Sequence, residues 1–296
     1  MRTTLFVAIL VLLTLAVPAS PAHAGGVVTV CDEAHLRAAL AGGGTVTFSC
    51  SGTITLAAQI SIAADTTIDG SGQTVTISGN NTVRVFTVNS GVALSLNRLT
   101  VANGAASNYE DGGGILSLGT LTVSNSTFSG NSTQDYGGAI ANRGTLTVRN
   151  STFSGNSALA GGAISGSALV ENSTIDGNTA GVGEGGGIVS YDWLIVRSST
   201  FVDNTAGAGG GIWAGGSVAV SSSTFFGNSA NYGGGGMRIG SGMATVSNST
   251  LVGNSAYAGG GISKQGANTL TVSNSTFSGN SAVDGSGIHS LSLIHI

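Results

Sequence analysis

The chain has 296 residues, of which 41% are hydrophobic and only 7% charged, with a formal net charge of −4. This balance excludes a phosphate-binding surface, because nucleic acid needs clustered basic residues, and it offers no polybasic stretch for anionic lipid. Glycine occurs 50 times, yet apolar residues recur in register, which separates the chain from disordered glycine-rich sequences.

Residues 1–24 read as a secretory signal: Arg2, an apolar run from Leu5 to Val17, and Ala22-His23-Ala24 as a cleavage site. Both prolines, Pro18 and Pro21, fall in it. The apolar run is too short to span a bilayer, so an exported chain without membrane insertion is expected, either extracellular or at the cell surface, with outer-membrane association as one form of display.

Residues 25–43 read as an N-terminal cap. Asp32-Glu33-Ala34-His35-Leu36-Arg37-Ala38-Ala39-Leu40 is the one good helical stretch, acidic at its start and followed by Gly42-Gly43-Gly44. Cys31 and Cys50 lie close together in a chain expected to be exported. A disulfide closing a short loop fits that context, and two buried thiols are the alternative.

Residues 44–104 predict short strands with irregular spacing: Thr45–Phe48, Thr53–Leu56, Ile60–Ile62, Thr66–Ile68, Val75–Ile77, Arg84–Val88 and Val92–Val101. Residues 105–290 are regular. A Ser-Thr-Φ-x-x-Asn unit, with Φ apolar, places Phe128, Phe153, Ile175, Phe201, Phe225, Leu251 and Phe277 three residues before Asn131, Asn156, Asn178, Asn204, Asn228, Asn254 and Asn280. Between these units lies Gly-Gly-[Gly/Ala]-Ile, whose last residues are Ile115, Ile140, Ile164, Ile188, Ile212, Met237, Ile262 and Ile288, spaced by 25, 24, 24, 24, 25, 25 and 26 residues.

A fixed period of this size with no helix between strands predicts an all-β solenoid, a single-stranded right-handed parallel β-helix with a short capping helix. At ~4.8 Å per coil, roughly ten coils give a rod of about 50 Å. Equivalent residues then stack. The Φ residues predict an internal apolar column, and the asparagines an amide ladder. Asn103 before Gly104 reads as a first, imperfect member of that ladder. The glycine before each asparagine permits φ > 0, with Asp203 the exception. Residues 291–296 lack the repeat pattern and read as a non-native or truncated tail.

The Phe-x-x-Asn units alternating with Gly-Gly-Ala-Ile, literal at Gly137–Ile140 and Gly161–Ile164, resemble the repeats of the polymorphic outer membrane protein family over about 105–288. The segment from Val30-Cys31-Asp32 to Leu40 is similar to the start of bacterial extracellular β-helix proteins. The resemblance implies a right-handed parallel β-helix of the pectin-lyase-like superfamily, displayed at the cell surface or secreted, with adhesion as its role and an extracellular glycan or surface protein as partner.

The same fold carries polysaccharide lyases and hydrolases, so chemistry must be sought in the residues. Hydrolysis of a glycoside needs two positioned carboxylates, and a lyase needs a cation-binding acid cluster with a base. No Asp-Asp pair or acid-plus-Arg motif at constant offset marks a catalytic set, and no cofactor or metal site is expected. Glu110, Asp111, Asp135 and Glu184 share one turn and offer at most a weak acidic patch. Tyr109, Tyr136, Tyr232 and Tyr257 lie in the same turn, where a sugar-stacking row competes with simple packing on glycines. Trp193 and Trp213 read as packed surface aromatics. Gly181–Gly186 spells a dinucleotide fingerprint, but no helix follows it. The threonine before each Φ predicts a surface column, the basis for a minor structural or ice-binding reading.

Overall fold

The computed structural model describes residues 25–107, 109–291 and 294–295; the signal-like segment 1–24 lies outside them. Among the described residues one helix, Glu33–Leu40, precedes a solenoid in which every strand pairing is parallel. Three sheets run along it. Sheet 1 has twelve strands from Val27–Val28 to Ile294–His295. Sheet 2 has ten, from Gly52–Thr55 to Thr276–Ser278, and sheet 3 has ten, from Ile60–Ile62 to Ile288–Ser290. A partial fourth sheet of five strands, Thr179–Glu184 to Ser281–Asp284, is inserted between sheets 2 and 3 in the later coils.

The chain visits the sheets in the order 1, 2, 3 and then returns one coil further on. Each strand is short because the path must bend about every five residues. Within each strand the side chains alternate inward and outward: in Thr120–Ser124, Leu121 and Val123 are buried while Thr120 is exposed. The Φ residues from Phe128 to Leu251 are fully buried, and Phe277 in the last coil is partly so. Phe128 stacks on Phe153 with ring centroids 4.8 Å apart, and Phe201 on Phe225 at 4.7 Å, with Ile175 between the pairs.

The asparagines form a buried ladder. The Asn156 amide nitrogen donates to Asn178 Oδ1 at 2.9 Å and to the Phe128 carbonyl at 3.1 Å, while the Asn156 backbone N–H donates to the same Asn178 oxygen at 3.0 Å. The pattern repeats from Asn131 to Asn254, with Asn280 as the last acceptor. Glycine precedes the ladder residue at φ near +60°, as at Gly155 (φ +59°), and Asp203 takes that conformation at φ +51°.

Asn103 does not belong to this ladder. Val101 pairs with Phe128, so Gly104 occupies the asparagine position and donates its N–H to Asn131 Oδ1 at 2.8 Å. Asn103 takes the preceding positive-φ position instead, at φ +50°. The expected single strand Val92–Val101 is two strands, Ala93–Asn97 and Thr100–Ala102, bent at Arg98 with φ +53°. Likewise Arg84 lies outside its expected strand, which is Phe86–Val88.

A second ladder runs through the serine that opens each Ser-Thr-Φ unit. Ser151 Oγ accepts the Ser126 N–H at 3.1 Å and donates to the Arg149 carbonyl at 2.7 Å, and the same pair of bonds recurs to Ser249. Outward threonines from Thr53 through Thr127 and Thr200 to Thr276 form an unbroken column on sheet 2. The neighbouring outward column is mixed, with Ser129, Asp176, Val202 and Phe226.

The Gly-Gly turns explain themselves through coil contact. The first glycine has φ near +70°, as Gly137 does, and a Cβ on the second, Gly162, would lie 2.2 Å from the Gly186 carbonyl oxygen. The cap helix closes the first coil. Asp32 accepts the His35 N–H at 2.8 Å, and Glu33 accepts the Ala57 N–H at 2.8 Å. Arg37 bonds Glu33 and the carbonyls of Ala58 and Gln59. Cys31 and Cys50 are disulfide-bonded, with Cα atoms 5.7 Å apart. At the other end, Ile294–His295 pairs with sheet 1 opposite Leu270 and Thr271, so part of the tail continues the sheet.

Candidate functional site

Sheet 3 differs from the other two. Outward positions on sheet 1, and on sheet 2 apart from Ser78 and Ala102 in its early coils, are exposed or half-buried, but on sheet 3 Ala141, Val189 and Ser263 point outward and are buried. The glycine turns fold back over this face: a Cβ on Gly161 would lie 2.8 Å from Val189 Cγ1. A groove results, with the turns before sheet 3 as one wall and the corners after sheet 3 as the other.

Charged and aromatic side chains cross that groove. Asp111, buried on the turn side, pairs with Arg143 from the corner one coil on. Asp111 Oδ1 also accepts the Tyr136 N–H at 3.3 Å. Tyr191, from a later corner, donates its hydroxyl to Glu184 Oε2 at 3.1 Å. The Tyr191 ring lies edge-on to Tyr136 at 6.3 Å and tilted against Trp213 at 5.0 Å. Burial, then the Glu184 carboxylate, push the Tyr191 phenol up, so it stays a neutral donor. Desolvation, then the Asp111 charge, raise the Asp135 carboxyl, against a smaller opposing pull from Arg143.

The eight residues singled out in the turn therefore fall into three groups. Asp111, Asp135, Tyr136 and Glu184 gather around Arg143 and Tyr191. Glu110 leans instead on the buried Arg84, whose Nη2 donates to it at 2.9 Å, and Tyr109 stands in solvent beside it. Tyr232 and Tyr257 sit at equivalent positions on the fourth-sheet ridge, several coils away and exposed. The four tyrosines do not make one row, because coils without tyrosine intervene between Tyr136 and Tyr232.

Arginine partners are the part that sequence reasoning missed. Glu171 pairs with Arg149 and Arg197 at 3.0 and 3.1 Å, Glu110 with Arg84, and Asp111 with Arg143. Each partner comes from an adjacent coil: the Arg84, Arg149 and Arg197 pairs are offset by 26, 22 and 26 residues, the varying coil length, whereas Arg143 reaches Asp111 from 32 residues away across the groove. Trp213 packs on Tyr191 rather than on Trp193, which starts a strand of sheet 1. Among the described residues no group of three or more His, Cys, Asp or Glu could hold a metal ion, and no helix is long and apolar enough to cross a membrane.

Fold and groove together define a stacked parallel β-solenoid with a side-chain-lined groove along one sheet. The family model for the right-handed β-helix region matches residues 64–225, more than half of the chain. The chain belongs to that right-handed β-helix family. No significant match exists among curated proteins or solved structures.

Proposed function

We propose that this protein is an exported interaction rod, displayed at the cell surface or secreted, that acts as a non-enzymatic adhesin-like module toward an extracellular glycan or surface protein. The observation that carries the reading is the groove over sheet 3. Its aromatic and charged groups spread along several coils instead of converging on one centre, and two of its four carboxylates, Asp111 and Glu184, are held by Arg143 and Tyr191. An extended, rigid line of such groups suits recognition of a polymer.

Export is supported by the signal-like residues 1–24 and by the Cys31–Cys50 bridge, a linkage of oxidising compartments. The repeats are of the polymorphic outer membrane protein type: Phe-x-x-Asn supplies the stacked ring and ladder amide, and Gly-Gly-Ala-Ile the turn into sheet 3. The chain divides, on this reading, into signal (1–24), cap (25–43), early coils (44–104), regular coils (105–290) and a tail (291–296).

One observation favours a second reading, a polysaccharide lyase or hydrolase. Asp135 lies close enough to Asp111 for their charges to interact, and its raised pKa is the kind of perturbation found at catalytic acids. Incubation with pectin, alginate and neutral polysaccharides separates the two. The interaction-rod reading expects retention on a polysaccharide without release of unsaturated or reducing ends. Release that disappears in Asp135→Asn would establish the enzyme instead.

A further inference from the structure

One coil of the rod is short, and the gap it leaves is built as a site. Ala141 pairs with Ser165 and Thr147 with Leu169, so the path from sheet 3 to sheet 1 is two residues shorter in the second of these coils. On the other side Ser165 pairs with Val189 and Leu169 with Ile195, and the path lengthens again by two. Gly166 makes the abbreviated corner, at φ +111°, where a Cβ would lie 2.1 Å from the Asn142 carbonyl oxygen. The corners at Asn142-Arg143-Gly144 and Tyr191-Asp192-Trp193 therefore stand proud on either side of Gly166-Ser167. Between them lies an open notch of about 260 Å³. Its width along the rod is that of one missing corner, about 4.8 Å, the thickness of a single strand.

The walls are fixed and chemically distinct. Tyr191 is held from behind by Trp213 and by its bond to Glu184, so it presents a preformed surface. Trp193 is exposed and its backbone N–H reaches Ser167 Oγ at 3.4 Å. Asn142 braces the opposite corner through its amide bonds to the Gly144 and Ser167 carbonyls, at 3.0 and 2.9 Å. Arg143 engages Asp111 through Nη2 alone. Its Nε and Nη1, and the Asp192 carboxylate, make no hydrogen bond among the described residues.

We infer that this notch is a subsite for one neutral hexopyranose residue of a glycan. A pyranose has an apolar C–H face, which suits the tyrosine and tryptophan walls, and a rim of hydroxyls that donate and accept. Arg143 supplies free donors and Asp192 a free acceptor, the complement of a vicinal diol. The charge around the notch selects against acidic sugars. Asp111 and Asp135 lie against Arg143, Glu184 against Tyr191, and Asp192 lines the notch, where Arg143 is the one cation among the described lining residues, so a uronate carboxylate would meet a net negative field. The choice of a glycan rests on the interaction-rod reading; the choice of a neutral ring rests on the notch itself.

The test uses the natural full chain for calorimetry, which decides the outcome, and Trp213→Phe, which leaves Trp193 as the only tryptophan, for fluorescence alone. Methyl glucoside, galactoside, mannoside and methyl galacturonoside are titrated against Trp193 fluorescence and by calorimetry. The notch predicts saturable binding of a neutral hexopyranoside with roughly millimolar Kd, as for one ring in a shallow cavity, and weaker binding of the uronoside. Trp193→Ala should weaken it about tenfold in the calorimeter, the loss of one aromatic wall. Inserting Arg-Gly after Gly166, which restores the missing corner, should abolish it. Circular dichroism and Tm confirm that each variant is folded; if the insertion fails to fold, Trp193→Ala decides alone. Absence of binding by any neutral hexopyranoside, or binding unchanged in Trp193→Ala, overturns the notch. Retention of the rod on polysaccharide in that same outcome leaves the interaction-rod reading standing, and loss of both removes both.

Discussion

Asn204 is zero per cent exposed, and its side chain has no water to fall back on. Its amide nitrogen donates to Asn228 Oδ1 and the Ile175 carbonyl at 2.9 and 2.8 Å, and its oxygen accepts both the backbone and side-chain N–H groups of Asn178 at 3.0 Å. Every donor and acceptor of the side chain is used, which is the condition for a polar column inside an apolar core to stabilise it. Asn204→Ala orphans groups in both neighbouring coils at once. The expected cost is about 3 kcal/mol, read as a lower midpoint in urea unfolding. An unchanged midpoint would mean that the ladder follows the fold without supporting it. The serine ladder was not legible, although its residues were in plain view within the Ser-Thr-Φ motif. Serine is common at exposed turns, and nothing in its spelling tells that Ser151 is buried and bonds both along and across the coils.

At the scale of elements, the cap helix shows how a single acid ties two segments together. Glu33 binds the Ala57 N–H and the Arg37 guanidinium, and these, the backbone bond foremost, hold its carboxyl below the ordinary 4.5. The folded chain therefore releases that proton more readily than the unfolded chain. The stability that Glu33 contributes is fully present above about pH 4.5 and is lost as pH falls through the folded-state value. Glu33→Gln should lower Tm near neutral pH, and the gap to the natural chain should narrow below pH 4.5. A gap that is constant with pH would show that the effect is shape, not charge. The helix was legible from its acidic start and the glycines after it. Its docking was not, because Ala57 and Ala58 carry no side-chain signal and act through their backbones. The sheets were legible as strands, but the split at Arg98 needed a non-glycine residue at positive φ.

Over the whole molecule, period and motif fixed the architecture, since identical side chains at a constant interval have only one way to stack. The groove was far less legible. Asp111, Asp135, Tyr136 and Glu184 were visible in the right turn, yet Arg143 and Tyr191, which reach them from the opposite wall, lie 32 and 7 residues from their partners Asp111 and Glu184. These offsets depend on coil length and corner position, and no constant spacing betrays them. The short coil at Gly166 was present in the sequence as a 22-residue step from Phe153 to Ile175 among steps of 24 to 26, but its meaning appears only when both flanking corners are placed.

On the proposed reading, the rod recognises its partner through the groove on sheet 3. The most direct measurement is retention on an insoluble polysaccharide panel of the natural chain, Tyr136→Ala, Tyr191→Ala and the ridge variant Tyr232→Ala, with Tm recorded for each. The two groove variants are expected to lose retention by about tenfold, while Tyr232→Ala binds as the natural chain does. Equal retention by all four, or loss only with Tyr232→Ala, would contradict that reading and move recognition to the ridge.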